Sequence, residues 1–174
     1  AAIAEHADRP ATRIRVGDDW CTHTFREFGE RIDEAAQGLL NRGIRPGDRI
    51  GLFANNCPEW SEIDFGAATV RAIPVPIYAT STPEQIRHIA ADSGLRILFA
   101  GGRSECERVL EVADDLPELE HLVILEPWEG MPERVITYDD FRAEPDARAL
   151  EARLTEAGPD DLASIIYTSG TTGD

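Results

Sequence analysis

Residues 49–77 read RIGLFANNCPEWSEIDFGAATVRAIPVPI, and this stretch decides the fold. Arg49 to Ala54 is a short apolar run of strand length. Asn56 to Pro58 supplies a turn and a first-turn proline, the opening of a helix. Trp60, Ile63, Ala67 and Val70 then recur at helical spacing along one face. Ile73-Pro74-Val75-Pro76-Ile77 is extended again, and its two prolines cannot donate to a sheet ladder. That strand is therefore expected at an edge or as an irregular strand. Strand, helix and strand in this compass form a βαβ unit, which joins parallel strands.

The same alternation continues in both directions. Upstream, Arg13 to Val16 and Trp20 to His23 flank a Gly17-Asp18-Asp19 turn, the pattern of a hairpin. Thr24 and Glu27 then form a capping box for a helix whose apolar stripe is Phe28, Ile32, Ala36 and Leu39, with Gly43 as its stop. Downstream, Thr82, Pro83 and Gln85 start a helix that buries Ile86, Ile89 and Ala90 and ends at Gly94. A strand over 96–100, a helix near 103–115 and a strand over 122–125 follow. Arg134 to Ile136 reads as a short strand, and Asp146 to Ala157 as an exposed helix broken by Gly158-Pro159. Leu162 to Tyr167 reads as a final buried strand. Strands alternating with helices predict one compact α/β unit, built of βαβ units around a mainly parallel sheet.

Composition narrows the partners. The 174 residues are 42% hydrophobic and 29% charged, which places the chain among soluble globular proteins. The formal net charge is −16 and all 17 basic residues are arginine, so a phosphate backbone or anionic membrane is repelled at long range. No nucleic-acid partner is expected. No apolar run is long enough to span a bilayer, and residues 1–10 lack the apolar core of a secretory signal. A cytoplasmic location is the default expectation. Cys21, Cys57 and Cys106 are scattered and lack metal or redox spacing, so they are expected to be buried, reduced thiols. His6, His23, His88 and His121 are dispersed likewise, and no metal site is assigned.

Thr168-Ser169-Gly170-Thr171-Thr172-Gly173-Asp174 carries the chemistry. Gly170 and Gly173 permit tight geometry in which consecutive backbone N–H groups converge on an anion. Thr168, Ser169, Thr171 and Thr172 add hydroxyl donors for phosphate oxygens. A loop leaving the C-terminal end of a strand lies where open α/β sheets bind ligands. A Walker A loop is excluded, because the chain has no lysine. On composition alone, a Ser/Thr/Gly run is more commonly an ordinary surface loop.

Tyr167-Thr168-Ser169-Gly170-Thr171-Thr172-Gly173 resembles the signature opening of the AMP-forming acyl- and aryl-CoA synthetases, luciferases and peptide-synthetase adenylation domains. The family motif continues into a proline, a lysine and a glycine. The resemblance extends upstream through Thr24-Phe25-Arg26-Glu27-Phe28, Gly43 to Ile50, Asn55 to Trp60, Ala72 to Pro76 and Asp92-Ser93-Gly94. Pro76 to Gln85 is similar to the form in long-chain fatty acyl-CoA synthetases, with Tyr78 read as a packing residue.

The resemblance implies that residues 1–174 are the N-terminal portion of an AMP-binding (adenylation) domain, ending inside the phosphate loop. It implies a parent ligase using ATP, Mg2+, a fatty acid and coenzyme A, in which Thr168, Ser169, Gly170, Thr171, Thr172 and Gly173 hold the β- and γ-phosphates. The family's adenine pocket, metal-binding glutamate, most of its acyl tunnel and its catalytic lysine fall beyond Asp174. The chain therefore contains no catalytic residue and is expected to be inactive alone. Two alternatives stand beside this reading: a short-chain or aryl-acid ligase, and a non-catalytic α/β interaction module. Ile165-Ile166-Tyr167 reads as a central strand without neighbours, which predicts self-association through the truncated edge.

Overall fold

The computed structural model describes residues 2–168. A short helix α1 (Ala2–Glu5) precedes the antiparallel hairpin of β1 (Pro10–Val16) and β2 (Asp19–Thr24). Helix α2 (Phe25–Asn41) follows directly, and its N-terminus closes as predicted. Glu27 N–H donates to Thr24 Oγ1 at 3.3 Å, while Thr24 N–H donates to Glu27 Oε2 at 2.7 Å. Two of the first-turn donors are thereby satisfied by side chains.

The main sheet has five parallel strands in the order β4-β3-β5-β6-β7. These are β3 (Arg49–Phe53), β4 (Ile73–Pro76), β5 (Ile97–Ala100), β6 (His121–Ile124) and β7 (Val135–Thr137). Between them run α3 (Pro58–Thr69), α4 (Pro83–Ser93) and α5 (Arg103–Leu110). Helices α6 (Tyr138–Phe141) and α7 (Ala147–Thr155) are the last helices among the described residues. The expected helix near 103–115 is split: α5 ends at Leu110, and a separate short 3-10 turn spans Ala113–Asp115.

Alternating side chains of each strand feed two cores. Ile50, Leu52, Ile97 and Phe99 pack with α2 and α3 on one face. Phe53, Val75, Leu98 and Ala100 pack with α4 and α5 on the other. The sheet is thus covered on both faces, as parallel sheets require. Burying nearly every side chain of β3 and β5 explains why these strands read as continuous apolar runs.

The proline-rich strand lies at the edge, as its sequence predicts. Ile73 N–H and Ile77 N–H both donate inward, to Asp48 O and Leu52 O at 2.8 Å. Alternation turns Pro74 and Pro76 to the outer side, where a donor is not needed.

The final stretch differs from expectation. Residues 162–168 carry no regular secondary structure, and Leu162 and Ile166 are 65% and 63% exposed. The stretch lies outside β4, not in the middle of the sheet, and Ile165 N–H donates to Pro74 O at 3.1 Å. The edge it meets offers carbonyls but no N–H at either proline, so a regular ladder cannot form there.

Two further expectations are corrected. Cys21 is exposed and Cys57 half-buried, leaving Cys106 as the buried thiol. Tyr78 is 71% exposed, so it is not a packing residue.

Candidate functional site

The strand order locates a site before any side chain is considered. The chain leaves β3 toward β4 by way of α3, but leaves β5 toward β6 by way of α5 on the opposite face. Winding therefore reverses between the adjacent strands β3 and β5. Open α/β sheets bind ligands in the crevice outside the carboxyl ends of such strands.

Two clefts occupy that end of the sheet. One, of about 510 Å³, lies over β3, β5 and β6, with Asn55, Asn56, Gly101 and Glu126 in its wall. The β3 and β5 loops approach closely there, since a β-carbon on Gly101 would lie 3.2 Å from Ala54 Cβ. Glu59, Glu105 and Glu126 make this cleft acidic against the single cation of Arg15. Such a lining disfavours a polyphosphate. Cys57 also faces it. Burial pushes its thiol up to about 11, with the nearby Glu59 and Glu126 adding to the shift. A neutral thiol of this kind is a poor nucleophile.

The second cleft, of about 360 Å³, lies over β3 and β4 and is different in character. It shares Asn55 and Asn56 with the first, but its wall includes Trp60, Ile77, Tyr78 and Tyr167. An aromatic, largely apolar cleft with a few polar groups in its wall suits an organic ligand. The Tyr78 turn in its wall is pinned from α5. Arg108 donates to Ala79 O at 2.9 Å and to Ser81 O at 2.6 Å.

Tyr167 brings the end of the described chain to this cleft. Its hydroxyl donates to Asp92 Oδ2 at 2.6 Å, and its ring meets His88 edge-on with centroids 6.2 Å apart. Burial and the Asp92 carboxylate push the Tyr167 phenol up to about 12, so it remains a donor at neutral pH. Thr168, the first loop residue predicted from sequence, follows immediately and is exposed. Ser169, Gly170, Thr171, Thr172 and Gly173 lie outside the described residues.

Among the described residues, no group of three or more His, Cys, Asp or Glu gathers as metal ligands. Sequence reasoning placed Trp60 on a core face and read Asn56 as part of the turn opening a helix, giving neither Asn55 nor Asn56 a place in a site. Their place in the site follows from strand order, which a sequence does not display.

The AMP-binding enzyme family matches residues 1–174. The chain belongs to that family. Among its AMP-binding relatives, the long-chain-fatty-acid–CoA ligase FadD15 of Mycobacterium bovis is 36% identical over 154 residues, covering 88% of this chain and 25% of the relative. The long-chain-fatty-acid–CoA ligase ACSBG1 of Homo sapiens is 28% identical over 176 residues, covering 99% and 24%. The chain thus spans about a quarter of the length of the curated relatives it matches.

Solved adenylate-forming ligases share the fold. The anthranilate CoA ligase AuaEII, in complex with anthranoyl-AMP, superposes with a TM-score of 0.80 at 25% identity, covering 99% of this chain and 31% of that one. The N-terminal domain of FACL13 from Mycobacterium tuberculosis gives a TM-score of 0.71 at 22% identity, covering 96% and 39%.

Proposed function

We propose that residues 1–174 are the N-terminal portion of the AMP-binding domain of an ATP-dependent long-chain fatty acid–CoA ligase. One observation carries the reading: Tyr167, in the wall of an aromatic cleft at the carboxyl end of a parallel sheet, leads directly into Thr168 and the hydroxyl- and glycine-rich sequence that follows it. In the proposed reaction a carboxylate oxygen attacks the α-phosphorus of ATP. Pyrophosphate leaves and an acyl-adenylate forms. The thiol of coenzyme A then attacks the acyl carbon and AMP departs, giving a thioester.

Thr168, Ser169, Gly170, Thr171, Thr172 and Gly173 hold the β- and γ-phosphates in this scheme. Their N–H and O–H donors would stabilise the charge that builds on the leaving pyrophosphate. Magnesium would supply further charge neutralisation when bound with ATP, and its protein ligands would come from outside the described residues. The substrates are a fatty acid, ATP and coenzyme A. The 36% identity to a long-chain ligase supports the acyl class. A cytoplasmic site of action accords with these substrates, and among the described residues no helix is long and apolar enough to cross a membrane.

The intact protein provides the test. Acid-dependent pyrophosphate release should be strongest with long-chain fatty acids in a panel that includes short-chain and aryl acids. Preference for an aryl acid would move the assignment to the reading suggested by the anthranilate ligase likeness. Release with no acid in the panel would overturn the ligase reading and favour an interaction module. The isolated 174-residue chain should show no pyrophosphate exchange, and exchange above background would overturn that expectation. Exposed Leu162 and Ile166 support self-association of the isolated chain. Light scattering that reports a monomer at all concentrations would reject it.

A further inference from the structure

The stretch from Asp161 to Thr168 is held at three points. At its start, Arg71 Nε and Nη2 donate to Asp161 Oδ2 and Oδ1 at 2.8 and 2.9 Å, a two-pronged pair with geometric specificity. In its middle, Ile165 N–H reaches Pro74 O. At its end, the Tyr167 hydroxyl reaches Asp92.

The two side-chain clamps come from opposite layers of the molecule. Arg71 sits in the turn between α3 and β4, and Asp92 in the last turn of α4. These helices cover different faces of the sheet. Arg71 has φ +61°, a left-handed conformation that a residue with a side chain rarely adopts and that costs about 1 kcal/mol. Because Pro74 and Pro76 give the outer edge of β4 no donors, the main chain alone cannot fix the register of the stretch. The clamps supply that register.

We propose that Asp92 and Arg71 are positioning residues that lock this stretch along β4, and that Asp92, through Tyr167, sets where the phosphate loop begins at Thr168. This inference rests on the ligase reading. Neither residue touches substrate. Each acts by fixing the root of a loop whose donors must meet phosphate oxygens at hydrogen-bond distance, where small displacements are costly.

The test uses the intact protein with Asp92→Ala, Tyr167→Phe, their combination, and Asp92→Asn. Asp92→Ala and Tyr167→Phe should each raise the KM for ATP about tenfold, which corresponds to about 1.4 kcal/mol. In Asp92→Ala the KM values for the acid and for coenzyme A should change less than about twofold. The double variant should be no worse than either single one, because both remove the same bond. Asp92→Asn keeps an acceptor for the tyrosine and should recover most of the ATP affinity.

Hydrogen exchange on these proteins and on Arg71→Ala provides a readout independent of turnover. The amides of residues 162–168 should exchange faster in Asp92→Ala and in Arg71→Ala, while those of β3 and β5 stay protected. Unchanged exchange in this stretch overturns the clamp. Faster exchange with an unchanged KM for ATP overturns the positioning role. Absence of acid-dependent pyrophosphate release from the unaltered protein overturns the ligase reading instead, and the exchange measurement then decides the clamp by itself.

Discussion

The Tyr138 hydroxyl donates to Glu62 Oε2 at 3.2 Å inside the core between α3 and α6, where Glu62 is fully buried. Arg31 Nη1 lies 3.6 Å from the other carboxylate oxygen. Burial outweighs that cation and raises the Glu62 carboxyl above the ordinary glutamate range. Ionising Glu62 therefore costs the fold. The stabilising contribution of its protonated form is complete below the unfolded pKa and is lost as pH rises through the folded one. Glu62→Gln should accordingly melt higher than the parent at neutral pH, and the difference should shrink as pH falls toward about 4.5 and be gone below it. Glu62→Ala should melt lower, since it leaves the buried Tyr138 hydroxyl without an acceptor at a cost of about 1–3 kcal/mol. Thermal melts across pH 3.5 to 8 check both expectations.

The opposite pH dependence is expected at the N-terminal end of the sheet. Arg96 joins Asp48 to Glu120, with Nε and Nη2 donating to the Glu120 carboxylate at 2.9 and 2.8 Å. The hydrogen bonds from Arg96 lower the Glu120 pKa. A lowered carboxylate stabilises the fold above its unfolded pKa and loses that contribution as pH falls through the folded value. Glu120 is nearly half exposed, so solvent screens much of the effect. Arg96→Met should cost about 1–2 kcal/mol at neutral pH. Its melting curve should converge toward that of the parent as pH falls through 4 to 3.

Helix α2 tolerates no side chain at Gly38. A β-carbon there would lie 2.5 Å from Phe141 O and 2.7 Å from Phe141 Cε1. Phe141 is fully buried and cannot retreat, because its ring also packs edge-on against Phe99 with centroids 4.9 Å apart. Gly38→Ala should cost about 1–3 kcal/mol through this overlap, although alanine favours helix by about 1 kcal/mol. Denaturant unfolding measures the sum, and a more stable variant would disprove the contact.

The helix caps give a smaller and separate effect. Thr82 N–H donates to Gln85 Oε1 at 2.9 Å, and Gln85 N–H returns a 3.3 Å bond to Thr82 Oγ1. Thr82→Ala should cost about 1 kcal/mol, and Thr82→Ser should recover most of it. Unfolding of the three proteins by urea would show the order.

What could be read in the sequence was local chemistry. Both capping boxes depend on residues three apart, and Pro74 and Pro76 announce an edge because they lack donors. The loop at Thr168 to Gly173 is legible as a motif for the same reason. Features that depend on distant neighbours were misread. Leu162 to Tyr167 has the composition of a buried strand, yet the edge it meets is the outer side of β4, where Pro74 and Pro76 offer no donors. Asp92 stands in a matching segment, but nothing local links it to Tyr167, 75 residues away. The four-residue α6 is too short to show a period, although Phe141 anchors one of the two cores.

The donor-free margin of β4 also has a meaning for the growing chain. On the ribosome β4 emerges well before the stretch that will cover it, and an uncovered strand is an invitation to neighbouring nascent polypeptides. With prolines at both outward positions, a stray strand finds carbonyls to bond to but cannot zip into a two-way ladder. The edge can wait for its own late-arriving partner, and the same two residues that keep that partner from becoming a strand spare the unfinished protein from pairing with the wrong one.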